Sequence, residues 1–513
     1  MDRIADVLDS VRRKGVRIWT EQGQLRYQAP KGALTPQEVD RLRQARSQIV
    51  ALLETTPNPD DRRRSLADRA RSGRGPLAFS QQMYWNMFQL GERGARRQVA
   101  SATRLSGPLR VEAFRASIAE AIRRHDALRT RIVVSDETPA QEIADSVSWR
   151  LKADDLSPLT ESRREREVQR LIETDILEPI DLAVDPLFGV RLIKLREEEH
   201  VLVIVLEHII SDALSLQILL GEILKGYAQI ERGQALSLPE IALQFADYAA
   251  RQRQTHDAWL QKHSAYWDRR LEACQRLRFP ETEAIDSGSC VGWGTVPIRI
   301  DGELKRELQA WCRSRRNTLV MSVLTVYVAL VLRWCNASAA LFQYEFEGRV
   351  TPAVANTIGY FASALYLRVG LLRQDSFIDL LSRVTAEYCR AYEHADLSWM
   401  ASQMPRPQFA RNTVFNWVPQ ATPIDPSGRT PSQRHPLTWH PVPFDHPVAR
   451  TLDVDNEPSM LLFDMDDGIV GGMYFPRKRF APQTMERFTH NFLALLKALL
   501  REPATPVMDV PLS

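Results

Sequence analysis

An α+β fold spread over more than one domain follows from three features of the chain. The chain has 513 residues, well past the roughly 250 to 300 at which a single hydrophobic core stops growing. Apolar residues recur at helical spacing in some stretches (Val111, Phe114, Ile118, Ile122) and run continuously in others, "VLVIVL" at 201–206 above all. From about residue 287 the order of strands, helix, strands and helix begins again, which predicts two similar lobes.

Composition narrows the class further. The chain is 44% hydrophobic and 26% charged with 23 Gly and 30 Pro, which excludes a disordered or fibrous protein. A net charge of +3 gives no bulk reason for a nucleic-acid partner. Five cysteines (Cys274, Cys290, Cys312, Cys335, Cys389) show no CxxC spacing, and "MDRIADVLDS" is too polar for a secretory leader. These features predict a reducing cytoplasm.

Ile4, Val7, Leu8 and Val11 fall on one face of a helix over 2–13, which Lys14-Gly15 ends. "VRIWTEQGQLRYQA" then alternates around Gln22-Gly23, a pair suited to a tight hairpin turn. "LTPQEVDRLRQARSQIVALLE" opens on Thr35-Pro36 and continues with Val39, Leu42, Ile49, Leu52 and Leu53 at helical spacing. Residues 1–56 thus form a helix, β-hairpin, helix unit whose exposed edge accepts an added peptide strand. Arg17, Trp19, Arg26, Tyr27 and Lys31 are the candidate docking residues; the plainer alternative is a cap packed on the main body. The Arg-rich stretch 57–76 reads as a flexible linker.

Residues 77–275 form the first lobe and 276–513 the second. "RVEAFRASIAEAIRRHDALRTRIV" predicts a helix running into a strand. "LFGVRLIKLREEEHVLVIVLEH" predicts two strands joined by a charged turn, and Leu216, Leu219, Leu220, Ile223, Leu224 and Tyr227 then mark the inner face of a helix. The stretch from Leu243 to Cys274 predicts a connecting helix. "TLVMSVLTVYVALVLRWC" (318–335) is shorter than a usual membrane span, carries polar groups, and predicts a buried core helix. "HPLTWHPVPFDHP" predicts a loop rather than a metal site, since its prolines and irregular histidine spacing do not suit fixed ligands.

The chemistry centres on "LEHIISDALS" at 206–215. A strand followed by a helix puts His208 where a sheet meets a loop, with Glu207 pointing away from any cavity that His208 faces. An imidazole there can take a proton from an attacking amine or alcohol, and backbone N–H groups at the helix start can steady an oxyanion. The competing reading is a polar strand end with Asp212 as an ordinary N-cap. There is no G-x-S-x-G elbow, P-loop or dinucleotide fingerprint.

Six stretches in order, "LAFSQQMYW" (77–85), "RRHDALRTRIV" (123–133), "EHIISDALS" (207–215), "IGYFASALYLRV" (358–369), "TVFNWV" (413–418) and "GIVGGMYFPRKRFAP" (468–482), resemble the core motifs of nonribosomal peptide synthetase condensation domains. Residues 1–54 resemble β-hairpin docking domains that bind the C-terminal tail of an upstream synthase subunit. The resemblance implies two chloramphenicol-acetyltransferase-like lobes in a V, with tunnels for phosphopantetheine arms meeting at the active site. It makes His208 the catalytic histidine of an HHxxxDG-like motif, Asp212 its structural aspartate and Arg129 the partner of Asp212, with Arg124 as a competing candidate. Ser211 and Ser363 fall on the substrate tunnel, Ser363 where asparagine is usual. Glu207 stands in the place of the first histidine and Ala213, whose backbone N–H is retained, in that of the glycine.

The expected function is therefore acyl transfer. A thioester on a carrier protein's phosphopantetheine passes to a small amine or hydroxyl acceptor, and the chain binds no cofactor of its own. "REPATPVMDVPLS" ends the sequence where a condensation domain ends, so a stand-alone, chain-releasing enzyme of a peptide or hybrid polyketide assembly line is expected, with no membrane or nucleic-acid partner. The alternative is a catalytically silent scaffold that recruits partner proteins.

Overall fold

A computed structural model describes residues 17–21, 24–28, 73–89, 98–272, 277–281, 292–349, 351–395, 413–419, 437–442 and 457–512. The chain divides into two compact units, one of 1–73 with 241–243 and 349–356, the other of the remaining residues. In the smaller unit β1 (Arg17–Glu21) pairs antiparallel with β2 (Gln24–Gln28), Glu21 opposite Gln24. Trp19 stands opposite Arg26, Arg17 opposite Gln28 and Ile18 opposite Tyr27. The two expected flanking helices and Lys31 lie outside the described residues.

The larger unit opens with β3 (Arg74–Pro76), α1 (Phe79–Gln89), β4 (Gln98–Ser106) and α2 (Val111–Arg124). There follow β5 (Thr130–Ser135), β6 (Thr138–Ile143), β7 (Leu151–Asp155), α3 (Glu161–Leu177), β8 (Phe188–Arg196), β9 (Glu199–Glu207), α4 (Ala213–Glu231) and α5 (Phe245–Glu272). The chain continues as β10 (Trp293–Asp301), α6 (Gly302–Ser314), α7 (Leu319–Trp334), β11 (Ala339–Phe346), β12 (Ser363–Gly370) and α8 (Phe377–Glu393). It ends with β13 (Val414–Val418), β14 (Thr438–Pro441), β15 (Ser459–Met465), β16 (Gly468–Pro476) and α9 (Pro482–Arg501). The fold is α+β, as the sequence predicts.

The first large sheet has the order β14-β4-β9-β8-β7 and the second β10-β16-β15-β13-β11-β12, while β3, β6 and β5 form a small third sheet in that order. In the first, the hydrophobic run of β9 is buried on both faces, which is why it reads as continuous rather than alternating. On one face, Val168, Leu171, Ile172 and Ile176 of α3 pack with Val201, Val203 and Val205. On α2 and α4, Phe114 meets Tyr227 edge-on and the Ser117 hydroxyl donates to the Ile223 carbonyl at 2.6 Å. In the second sheet's core every residue of α7 from Met321 to Leu332 is buried, so its apolar character is that of a protein interior. No single described helix is long and apolar enough to cross a membrane.

The histidine-rich stretch is not all loop, because Thr438–Pro441 forms β14 and extends the first sheet beside β4, Thr438 opposite Ser106. Its residues are exposed, so it shows no apolar alternation; buried Leu437 and Val442 pin its two ends. Proline closes it, as an edge strand tolerates. The connecting helix is observed as α5, whose 28 residues span roughly 42 Å at 1.5 Å each. At its start Gln252 accepts from Phe79 N–H (3.0 Å) and Arg253 donates to Leu77 O (2.8 Å). At its end Trp267 donates to His394 O (3.0 Å) and Arg270 pairs with Glu387.

Between those ends His263 Nδ1 lies 2.8 Å from His394 Nδ1, while the His394 ring stacks on Tyr266 at 3.8 Å. Two imidazole nitrogens bond only when one carries a proton and the other does not. Burial, and then the neighbouring His394 and Lys262, hold His263 down to about 4 from an ordinary value of 6.5. A histidine depressed in this way contributes its full stability above its unfolded value and loses it as pH falls toward the folded one. The melting temperature should therefore fall as pH drops from about 6.5 to about 4, and a His263→Gln variant should show a shallower fall across that window in thermal denaturation.

Candidate active site

The site grows from the end of β9. The strand stops at Glu207, and His208–Ile210 form one turn of 3-10 helix, closed by the Ser211 N–H donating to His208 O at 3.2 Å. The Ser211 hydroxyl, itself fully buried, donates back to Glu207 O at 2.9 Å. Asp212 is extended (φ −138°, ψ 179°) and caps α4, its Oδ1 accepting from Ser215 N–H at 2.8 Å. Strand end, tight turn and capped helix together fix one short stretch of backbone.

A second segment is bolted to this one. Asp212 Oδ2 accepts from the Phe361 N–H at 3.1 Å. The Ser215 hydroxyl lies 2.7 Å from Asp212 Oδ1 and 2.9 Å from Gly359 O, so its single proton serves these two acceptors, and it accepts from Gly359 N–H at 3.1 Å. Residue 359 has to be glycine, because a Cβ there would sit 2.1 Å from the Phe245 ring. A third segment, the start of α1, completes the frame: Ser80 donates to Tyr360 O at 2.7 Å and Gln81 to Ile209 O at 3.0 Å.

The frame presents one imidazole. His208 is half-buried, and its Nδ1 lies 2.7 Å from Ser211 O. A carbonyl only accepts, so Nδ1 carries the proton and the lone pair of the neutral ring is on Nε2. The Tyr360 ring centroid is 4.5 Å from that of His208, and the Tyr84 centroid is 6.3 Å away. Glu207 is buried and accepts from the Tyr84 hydroxyl. Strand alternation does not carry across this position, because β9 has already ended when the chain reaches His208; Glu207 and His208 come to share Tyr84 as a neighbour.

The expected pairing of Arg129 with Asp212 is not what forms. Arg129 lies at the end of a one-turn helix, Asp126–Arg129, where Asp126 three residues back takes its guanidinium at 2.8 Å and the Ala144 carbonyl takes another N–H. Local carboxylate and carbonyl acceptors win over a distant one. Arg124 is engaged as well, with Glu222 at 3.2 Å and Pro239 O at 2.6 Å. Ala213 opens α4, where a first-turn N–H has no acceptor within the helix. Ser363 opens β12 opposite Phe346 and is buried. Sequence reasoning passed over Tyr84, Gln81, Ser215 and Tyr360, although each lies inside one of the six motifs. Among the described residues no His, Cys, Asp and Glu side chains cluster to hold a metal.

Comparison with known proteins gives this arrangement its relatives. The model described as Condensation domain matches residues 72–513, and that described as TubC N-terminal docking domain matches 4–54. A linear gramicidin synthase of Brevibacillus parabrevis is 28% identical over 85% of this chain, which spans only 9% of that synthase. In structure, the EpoB cyclization-docking bidomain of Sorangium cellulosum is similar with a TM-score of 0.71 at 21% identity, over 98% of this chain and 99% of that one. The X-domain of teicoplanin biosynthesis, solved as a complex with OxyB, is similar at 0.66 and 20% identity, over 86% and 96%. At such identities the structural likeness speaks for the fold.

Removing the clasp carboxylate strands two donors in a buried place. Asp212→Ala should lower the free energy of unfolding by about 2 to 4 kcal/mol, and Asp212→Asn, whose amide oxygen can still accept from Ser215, by about 1 to 2. Urea unfolding of the full chain measures both.

Proposed function

Because the chain belongs to the condensation-domain family, we propose that it transfers an acyl, peptidyl or polyketide group from a carrier protein's phosphopantetheine thioester to an amine or hydroxyl acceptor. The observation that carries this reading is the 2.7 Å contact of His208 Nδ1 with Ser211 O, an acceptor that calls for the ring proton on Nδ1 and leaves the lone pair of the neutral ring on Nε2. In the proposed reaction Nε2 takes the proton of the acceptor's N–H or O–H as that atom attacks the thioester carbonyl carbon. The carbonyl electron pair moves onto oxygen, and the N–H at Ala213, at the positive end of α4, steadies that charge. As the oxyanion collapses, the carbon–sulfur bond breaks and the departing thiolate takes the proton from the imidazolium. Asp212 touches none of the reacting atoms; it holds the backbone that carries Nδ1's acceptor. The chain supplies no cofactor to this chemistry, and the phosphopantetheine arm arrives as part of the substrate.

The docking hairpin completes the proposal. A β-edge flanked by Arg17 and Arg26 suits an acidic C-terminal tail of an upstream protein, which would deliver the loaded carrier and allow release of the chain onto a free acceptor. A second reading, a silent scaffold that recruits other proteins, is favoured by Glu207 standing in the place of a histidine and by the likeness to a domain solved in complex with OxyB. One experiment separates the two. The full chain is mixed with an acyl-loaded carrier protein and an amine or alcohol, and the masses of carrier and product are followed. Transfer supports the catalytic reading; tight partner binding without transfer supports the scaffold.

If the reading holds, His208→Ala lowers the transfer rate by about 10² to 10⁴ while leaving the melting temperature unchanged. Arg17→Glu combined with Arg26→Glu weakens binding of an acidic C-terminal peptide by at least tenfold in calorimetry, two charge reversals on one hairpin being worth about 1.4 kcal/mol or more at low salt.

A further inference from the structure

The Tyr84 hydroxyl and the Glu207 carboxylate are bonded to one another in a place water hardly reaches, with Tyr84 3% and Glu207 2% exposed. A buried carboxylate without donors is costly, so the bond restrains the phenol as firmly as it satisfies the acid. α1 is tied to the catalytic turn a second time by Gln81, one helical turn earlier, through the Ile209 carbonyl. Tyr84 therefore cannot swing away without breaking a buried polar contact.

Its ring has a definite place. His208, Tyr360 and Tyr84 form a triangle of centroids 4.5, 6.3 and 6.4 Å apart, with Tyr84 edge-on to Tyr360 at 89°. Tyr360 is immobilised in turn, since Ser80 holds its carbonyl and its neighbours Gly359 and Phe361 are held by Ser215 and Asp212. Two flat, fixed walls thus stand beside the imidazole.

We infer that Tyr84, clamped by Glu207, is a positioning and specificity residue for the nucleophile: with Tyr360 it narrows the approach to His208, so that the acceptor is a primary amine or alcohol unbranched at the carbon bearing the reacting atom. The inference rests on the acyl-transfer reading. It also gives Glu207 a use of its own, because a carboxylate, an amide oxygen or an unprotonated imidazole nitrogen can each accept the phenol's proton.

The test uses the full chain and four variants, Tyr84→Phe, Tyr84→Ala, Glu207→Gln and Glu207→His. The donor probe is octanoyl-pantetheine; the acceptor probes are benzylamine against 1-phenylethylamine, and benzyl alcohol against 1-phenylethanol. Two quantities are read: kcat and KM for each acceptor, and the Cε1–H nuclear magnetic resonance signal of His208, identified by its loss in His208→Gln. Tyr84→Phe keeps the ring but cuts the clamp, and should raise KM for the unbranched acceptor roughly tenfold with kcat changed less, while shifting the His208 signal as the rings move. Glu207→Gln and Glu207→His should stay within about threefold of the parent in KM, because both still accept the phenol's proton. Tyr84→Ala should raise the use of the branched acceptor relative to the unbranched one.

An unmoved KM and an unmoved His208 signal in Tyr84→Phe overturn the clamp, and an unchanged acceptor preference in Tyr84→Ala overturns the specificity role. A parent chain that uses none of the probes, and no acyl-loaded carrier either, sinks the acyl-transfer reading and the specificity role with it. The positioning role is then decided by the His208 signal, which needs no turnover: shifted in Tyr84→Phe and kept in Glu207→Gln, it supports the clamp; any other pattern overturns it.

Discussion

The site depends on one buried carboxylate. Asp212 is 3% exposed, and its two oxygens are met by donors from two segments, Ser215 beside it and Phe361, 149 residues further along the chain. Geometry this complete makes a buried charge tolerable, and it costs the site its freedom: the turn that carries His208 cannot shift without unpairing groups that have no water to turn to. The direction of the imidazole follows, because the Ser211 carbonyl that selects its tautomer belongs to the residue immediately before Asp212. In such a design the placement of the imidazole comes from the backbone more than from any unusual side chain.

Most of this local frame was legible in the sequence. An uninterrupted apolar run, a polar turn and a 3.6-residue stripe give β9, the turn and α4, because each is dictated by contacts within a few residues. Long-range pairing leaves no such trace. Arg129 had several carboxylates within chain reach, and the pattern of residues contained nothing to choose Asp126 over Asp212. Glu207 and Tyr84 are 123 residues apart, so their bond is visible only once α1 has been laid against the turn. β14 was missed for another reason: an exposed edge strand of four residues ending in proline has neither the alternation nor the hydrophobicity by which strands are recognised.

The long helix α5 shows a similar division of labour. Its residues near Gln252 and Arg253 serve α1 and the chain before it, while Trp267 and Arg270 serve α8 and its end. A helix used at both ends is a ruler that fixes the distance between α1 and α8. Its mid-helix surface is correspondingly polar, which is why its amphipathic signal is weak although the helix itself is easily recognised.

The donated strand bears on how the chain is made. β4 is complete when residue 106 leaves the ribosome, but Thr438, which pairs with it, is synthesised 332 residues later. At about 5 to 20 residues per second that interval is on the order of half a minute. Once β9 is made at residue 207 and pairs with β4, the nascent sheet displays an unpaired margin for the rest of that interval. Until Thr438 is made that margin is an adhesive edge on the nascent chain, and slow translation of the second half prolongs its exposure.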